Sequence, residues 1–131
     1  MITIPEIAAL AHQGQFRRDG VTPYIEHPKK VASFFETGTD KWSIAWLHDV
    51  LEDTPMTFDD LREHGVNDDV LGFVEWMTHR EEETYFDYIR RIKMSEMATK
   101  IKIADIFANL SDTPTETQKE RYTKALKILL A

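Results

Sequence analysis

The chain has 131 residues, 42% of them hydrophobic, and a formal charge of −7 at pH 7. That length fits one domain, and three Trp, four Tyr and seven Phe supply enough apolar bulk for a core. The absence of cysteine excludes disulfides, thiolate zinc sites and a cysteine nucleophile. The acidic balance argues against broad nucleic-acid or anionic-membrane binding. With no apolar run long enough for a membrane span and no secretory layout at the N-terminus, the expected location is the cytoplasm.

The elements are predicted in chain order from caps and apolar spacing. Pro5 suits the first turn of a helix running to about Arg17, with Ile7, Leu10 and Ala11 on one face. Asp19-Gly20-Val21-Thr22-Pro23 reads as a loop. His27-Pro28 opens a second helix with Val31, Phe34 and Phe35 as its stripe, ended by Gly38. Asp40 caps a third helix through Trp42, Ile44, Ala45, Trp46, Leu47, Val50 and Leu51; it is apolar on most sides and therefore expected at the centre, with Pro55 stopping it. Thr57 caps a short helix that ends before Gly65, and another helix runs from about Asp68 to Met77. Thr84 with Asp87, Ser95, and Thr115 with Gln118 start the last three. No stretch alternates at period two. The prediction is an all-α single domain, residues 1–131, of seven or eight short helices.

The chain lacks a Gly-rich phosphate loop, the G-x-S-x-G elbow and the H-E-x-x-H zinc pattern. What remains is polar residues where the apolar pattern should exclude them. His48, Asp49, Glu52 and Asp53 close the most apolar helix, where burial costs several kcal/mol (roughly) without a cation or partner. His48 and Asp49 are about 100° apart around a helix, so one cation touches both only with ligands from elsewhere. The competing reading is a satisfied core histidine beside three acids that fray into solvent. Asp105 and Asn109 stand at i, i+4 in a second apolar helix, and Lys102 with Asp105 also reads as an ordinary i, i+3 surface pair. His27 at a helix start reads equally as a cap or loop residue. Arg17-Arg18 reads as a basic helix C-terminus favoured by the helix dipole.

Together these places resemble one family. The segments His12-Gln13-Gly14-Gln15-Phe16-Arg17, Thr22-Pro23-Tyr24-Ile25-Glu26-His27-Pro28, Leu47-His48-Asp49-Val50-Leu51-Glu52-Asp53-Thr54 and Lys102-Ile103-Ala104-Asp105 with Asn109 resemble, in family order, the HD-domain metal-dependent phosphohydrolases. Within that family the likeness is to the compact RelA/SpoT-type alarmone hydrolases, of the metazoan SpoT-homolog kind. It spans roughly residues 7 to 112.

The resemblance implies that His27, His48, Asp49 and Asp105 bind one divalent metal, most often Mn²⁺, which two imidazoles and two carboxylates suit. It implies Glu52 and Asp53 as the acid pair that orients or deprotonates the attacking water. Arg17 and Arg18 are implied as substrate contacts, Lys102 as support for Asp105 or a phosphate, and Asn109 as a contact to the nucleotide sugar. The implied reaction is hydrolysis of a guanosine 3′,5′-bis(diphosphate)-type alarmone to GDP or GTP and pyrophosphate. The alternatives are an HD phosphohydrolase of another 3′-phosphorylated nucleotide, or a catalytically silent nucleotide-binding module.

The implied partner is a small nucleotide, neither nucleic acid nor membrane, with a homo-oligomer left open. The likeness covers the hydrolase part alone, so alarmone synthesis is not expected. The loop between Arg17 and His27 is one residue longer than in the long bifunctional enzymes, and Asp112 stands where they often carry threonine.

Overall fold

A computed structural model describes residues 2–131. The described residues form nine helices: α1 (Ile4–Ala11), α2 (Glu26–Ala32), α3 (Asp40–Leu47), α4 (Val50–Asp53), α5 (Phe58–Glu63), α6 (Asp68–Trp76), α7 (Tyr85–Lys93), α8 (Glu96–Leu110) and α9 (Glu116–Leu130). The all-α expectation holds. The count of nine arises because the third predicted helix is interrupted at His48-Asp49; taken as one element, α3 and α4 restore the eight. The interruption has a local cause. His48 Nδ1 donates to the Ala45 carbonyl at 2.6 Å, competing for the acceptor that the Asp49 N–H takes in an unbroken helix.

The chain divides into two compact units, one ending at Thr78 and the other running from His79 to Ala131. In the first, α3 packs against α1, α2 and α6, and α5 packs on α6. Ile44, Ala45 and Leu47 of α3 are fully buried, as expected of its apolar surround. Ile44 and Leu47 each contribute about 1.5–3 kcal/mol by leaving water. In the second unit α7, α8 and α9 pack pairwise against one another, burying Ile89, Ile92, Ile101, Ile106 and Ala125.

Four helix starts fall where the caps place them. Thr57, Thr84, Ser95 and Thr115 each accept from a backbone N–H three residues on, and Thr57-Asp60 and Thr115-Gln118 close full capping boxes. Three boundaries differ. The α1 helix, started by a Thr3-Glu6 box with Pro5 in its first turn, stops at Ala11 instead of Arg17. Gly14 turns the chain with φ +80°, and residues 15–17 then pair with 22–24 through Arg17 N–Thr22 O (2.7 Å) and Tyr24 N–Gln15 O (2.8 Å).

The α2 helix ends at Ala32, before Gly38, and Phe34 is exposed instead of completing a stripe. Thr39, not Asp40, caps α3 by accepting from Trp42 N, which leaves Asp40 as a favourable charge in the first turn. Among the described residues no helix is long and apolar enough to cross a membrane.

Candidate metal centre and active site

In the first unit three donors meet. His27 stands in the first turn of α2, His48 follows the last turn of α3, and Asp49 precedes α4; both imidazoles are buried. Asp49 Oδ2 lies 3.1 Å from His48 Nε2 and 3.7 Å from His27 Nε2. A carbonyl only accepts, so the His48 Nδ1 bond to Ala45 O fixes a proton on Nδ1 and turns Nε2 toward Asp49.

A ring nitrogen 3.1 Å from a carboxylate oxygen needs positive charge at that point, which a proton on the ring or a bound cation supplies. Anchoring of the remote ring nitrogen on a backbone carbonyl is also the usual arrangement around a metal-binding histidine. The donor set therefore fits a cation. Tyr24 Oη donates to the same Asp49 Oδ2 at 2.7 Å and orients it. This role for Tyr24 is invisible in the sequence, where Tyr24 only accompanies His27.

Both members of the acid pair lie on α4, a single turn. Asp49, Glu52 and Asp53 each present a carboxylate oxygen, all within 4.8 Å of one another. Burial pushes the Asp53 carboxyl up to about 6, reinforced by the neighbouring Asp49 and Glu52 charges and opposed by His48 and a hydrogen bond from Tyr24. A carboxyl poised there takes a proton near neutral pH.

Arg17 and Arg18 do not close a helix: α1 has no basic residue in its last turn, and both arginines lie in the paired loop after Gly14. That loop is rigidified by Asp19, which accepts from Val21 N, Thr22 N and Thr22 Oγ1; these bonds hold its carboxyl at about 2. The Arg17 guanidinium lies over the Tyr24 ring, 5.3 Å from its centroid. Arg17 thus shares Tyr24 with Asp49, whereas Arg18 is exposed.

In the second unit Asp105 is buried on α8. Lys102 Nζ donates to its Oδ2 at 2.8 Å and Asn109 Nδ2 to its Oδ1 at 3.3 Å. The surface-pair reading of Lys102 and Asp105 is overturned, since their side chains retain only 13% and 5% of their exposure. Burial opposes the ammonium charge, but Asp105 together with the Tyr88 and Tyr85 phenols outweighs it and holds the Lys102 pKa well above its ordinary value. Tyr88 also offers its ring to the ammonium at 5.1 Å. Like His27 and His48 in the first unit, Asp105 is a buried side chain of a type that ligates metal ions.

No protein-family model matches the chain. Guanosine-3′,5′-bis(diphosphate) 3′-pyrophosphohydrolase MESH1 of Drosophila melanogaster is 34% identical over 88% of this chain and 73% of its own length. The chain belongs to this hydrolase family. The MESH1 enzyme of Xenopus tropicalis is 35% identical over 80% of the chain and 64% of its own length. A solved structure described as a metazoan ortholog of SpoT that hydrolyzes ppGpp is 29% identical, with a TM-score of 0.77 over 97% of this chain and 81% of that one. Helical fold and family thus agree with the resemblance carried by the four motif segments.

Proposed function

We propose that the chain is a metal-dependent HD-domain hydrolase, one domain over 1–131, that converts guanosine 3′,5′-bis(diphosphate)-type nucleotides to GDP or GTP and pyrophosphate. His27, His48, Asp49 and Asp105 hold the cation, with manganese first in line for such a mixed imidazole and carboxylate set. The observation that carries this reading is His48 Nε2 turned toward Asp49 Oδ2 at 3.1 Å while its Nδ1 is anchored on the Ala45 carbonyl, the orientation of a metal-binding imidazole beside a carboxylate. When bound, a divalent cation lowers the pKa of water and polarises a phosphoryl oxygen.

The protein's own groups do the rest. Glu52 or Asp53 accepts the proton as the water oxygen bonds to the 3′-side phosphorus. The bond from that phosphorus to the nucleotide 3′ oxygen breaks with its electron pair on that oxygen, which takes up a proton and becomes the 3′-hydroxyl, and the phosphorus departs with the water oxygen as pyrophosphate. Arg17 neutralises charge on the transferring group, and Arg18 adds to the positive field at the loop. Lys102 keeps Asp105 ionised and oriented, and Asn109 contacts the sugar. The partner is a small nucleotide in the cytoplasm.

The test offers purified protein and Mn²⁺ the compounds ppGpp, 3′-phosphorylated nucleotides and generic nucleoside phosphates, with pyrophosphate and phosphate release followed separately. Pyrophosphate from ppGpp is the expected result. Phosphate released only from another compound, or tight binding without release, overturns the assignment.

A further inference from the structure

The motif that opens the site contains two residues the mechanism leaves unused, His12 and Gln15. His12 is buried, 2% exposed, and its Nδ1 lies 2.8 Å from Gln15 Oε1. The Gln15 Nε2 lies 2.7 Å from the backbone carbonyl of Asp53. The carbonyl fixes every polarity along this chain. It can only accept, so the Gln15 nitrogen donates to it; the Gln15 oxygen then faces His12, so His12 Nδ1 carries a proton and donates. Burial lowers the His12 pKa, more than the Gln15 bond and the Asp49 charge raise it.

The acceptor at the end of this relay matters because of what α4 is. It has four residues, one turn, and Asp53 is its last, with a carbonyl at the helix C-terminus that lacks an intrahelical partner. A single turn is not stable on its own. At its start Asp49 makes no side-chain cap, its Oδ2 being engaged by Tyr24 and His48. Within the turn Thr54 Oγ1 donates to Val50 O at 2.7 Å. The Gln15 amide, 38 residues away in sequence, fastens the end that carries Glu52 and Asp53.

We propose that Gln15, locked by His12, is a positioning residue that holds the Glu52-Asp53 turn at its working distance from the His27-His48-Asp49 donors. This rests on the reading of Glu52 and Asp53 as the acid pair. Gln15 touches no reacting atom. Its effect passes through the backbone of α4, so removing it should leave the metal donors intact while loosening the acids.

The experiment compares wild type with Gln15→Ala, His12→Ala and His12→Asn, the asparagine amide standing in for the Nδ1 donor. Amide hydrogen exchange of the metal-free proteins is measured across residues 50–54 and across α6, with Mn²⁺ content, kcat and KM measured on the loaded proteins. In Gln15→Ala, exchange through 50–54 should rise about fivefold or more while α6 is unchanged. Turnover per bound metal should fall about tenfold with KM moving less than about threefold, the range for lost outer-shell support. His12→Asn should recover most of the turnover that His12→Ala loses.

Exchange and turnover within twofold of wild type in Gln15→Ala overturn the proposal. So does a uniform rise in exchange across α6 as well, which marks general destabilisation. If wild type releases no pyrophosphate from ppGpp while 50–54 still loosens selectively in Gln15→Ala, the substrate assignment fails and the tether stands.

Discussion

The Glu83–Arg91 pair bears on the wall that carries Asp105. Arg91 is 9% exposed on α7, and its Nε and Nη2 donate to Glu83 Oε2 and Oε1 at 2.7 and 2.9 Å. Its guanidinium lies 5.5 Å from the Tyr88 ring that also receives the Lys102 ammonium. The two Arg91 hydrogen bonds, helped by the Arg80 backbone N–H on Oε1 at 2.9 Å, hold the Glu83 carboxyl at about 2 against an ordinary 4.5. Fully expressed, that difference is about 3 kcal/mol. The Glu83 side chain keeps 13% of its exposure, so solvent screens part of it and Glu83→Gln should cost about 2 kcal/mol.

For a chain of this length that lowers Tm by about 6–8 °C at pH 7, read by circular dichroism. The sign with pH is fixed. The folded pKa lies below the unfolded one, so the stabilisation is complete above about 4.5 and lost as pH falls toward about 2. The gap between wild type and Glu83→Gln should close over that window. A gap below about 0.5 kcal/mol at pH 7, or one that persists at pH 2, refutes the reasoning.

Three further outcomes are expected. Asp49→Ala and Asp105→Ala should each lower the manganese retained through purification by at least about tenfold, measured by elemental analysis. Glu52→Gln should retain the metal and lose about 100-fold in turnover of ppGpp; survival of turnover would move the proton-accepting role to Asp53. Lys102→Met leaves the Asp105 carboxylate buried without its ammonium and should cost about 3 kcal/mol in urea unfolding.

Local chemistry made most helix starts legible. A Ser or Thr hydroxyl bonding an N–H three residues on is decided within one turn, and Thr57, Thr84, Ser95 and Thr115 followed from that alone. Endings were harder because their causes are not local. The α1 helix stops where residues 15–17 find partners at 22–24, which the apolar spacing of Ile7, Leu10 and Ala11 does not report. The split between α3 and α4 depends on which way the His48 ring turns, and a one-letter pattern holds no rotamer.

The site divides along the same line. His48 and Asp105 were conspicuous because polar residues interrupt apolar helices, and both are buried. Their supports were not, since Tyr24 reaches Asp49 across 25 positions and Gln15 reaches Asp53 across 38. The Lys102–Asp105 pair shows the limit most sharply. It shares i, i+3 spacing with Glu116–Lys119, and the two ion pairs measure 2.8 and 3.1 Å. Yet the first keeps 13% and 5% of its side-chain exposure and the second 51% and 86%, so one is held by burial and the other is screened by water. Spacing alone cannot separate them. Helix phase can: Ile101, Ala104 and Ala108, which are buried, bracket Lys102 and Asp105 on α8, whereas Lys119 is followed by Glu120 and Arg121 in a polar stretch of α9. A charge pair inside an apolar bracket belongs to the interior, and that criterion, applied to the sequence, distinguishes the buried pair that orients Asp105 from the solvated one.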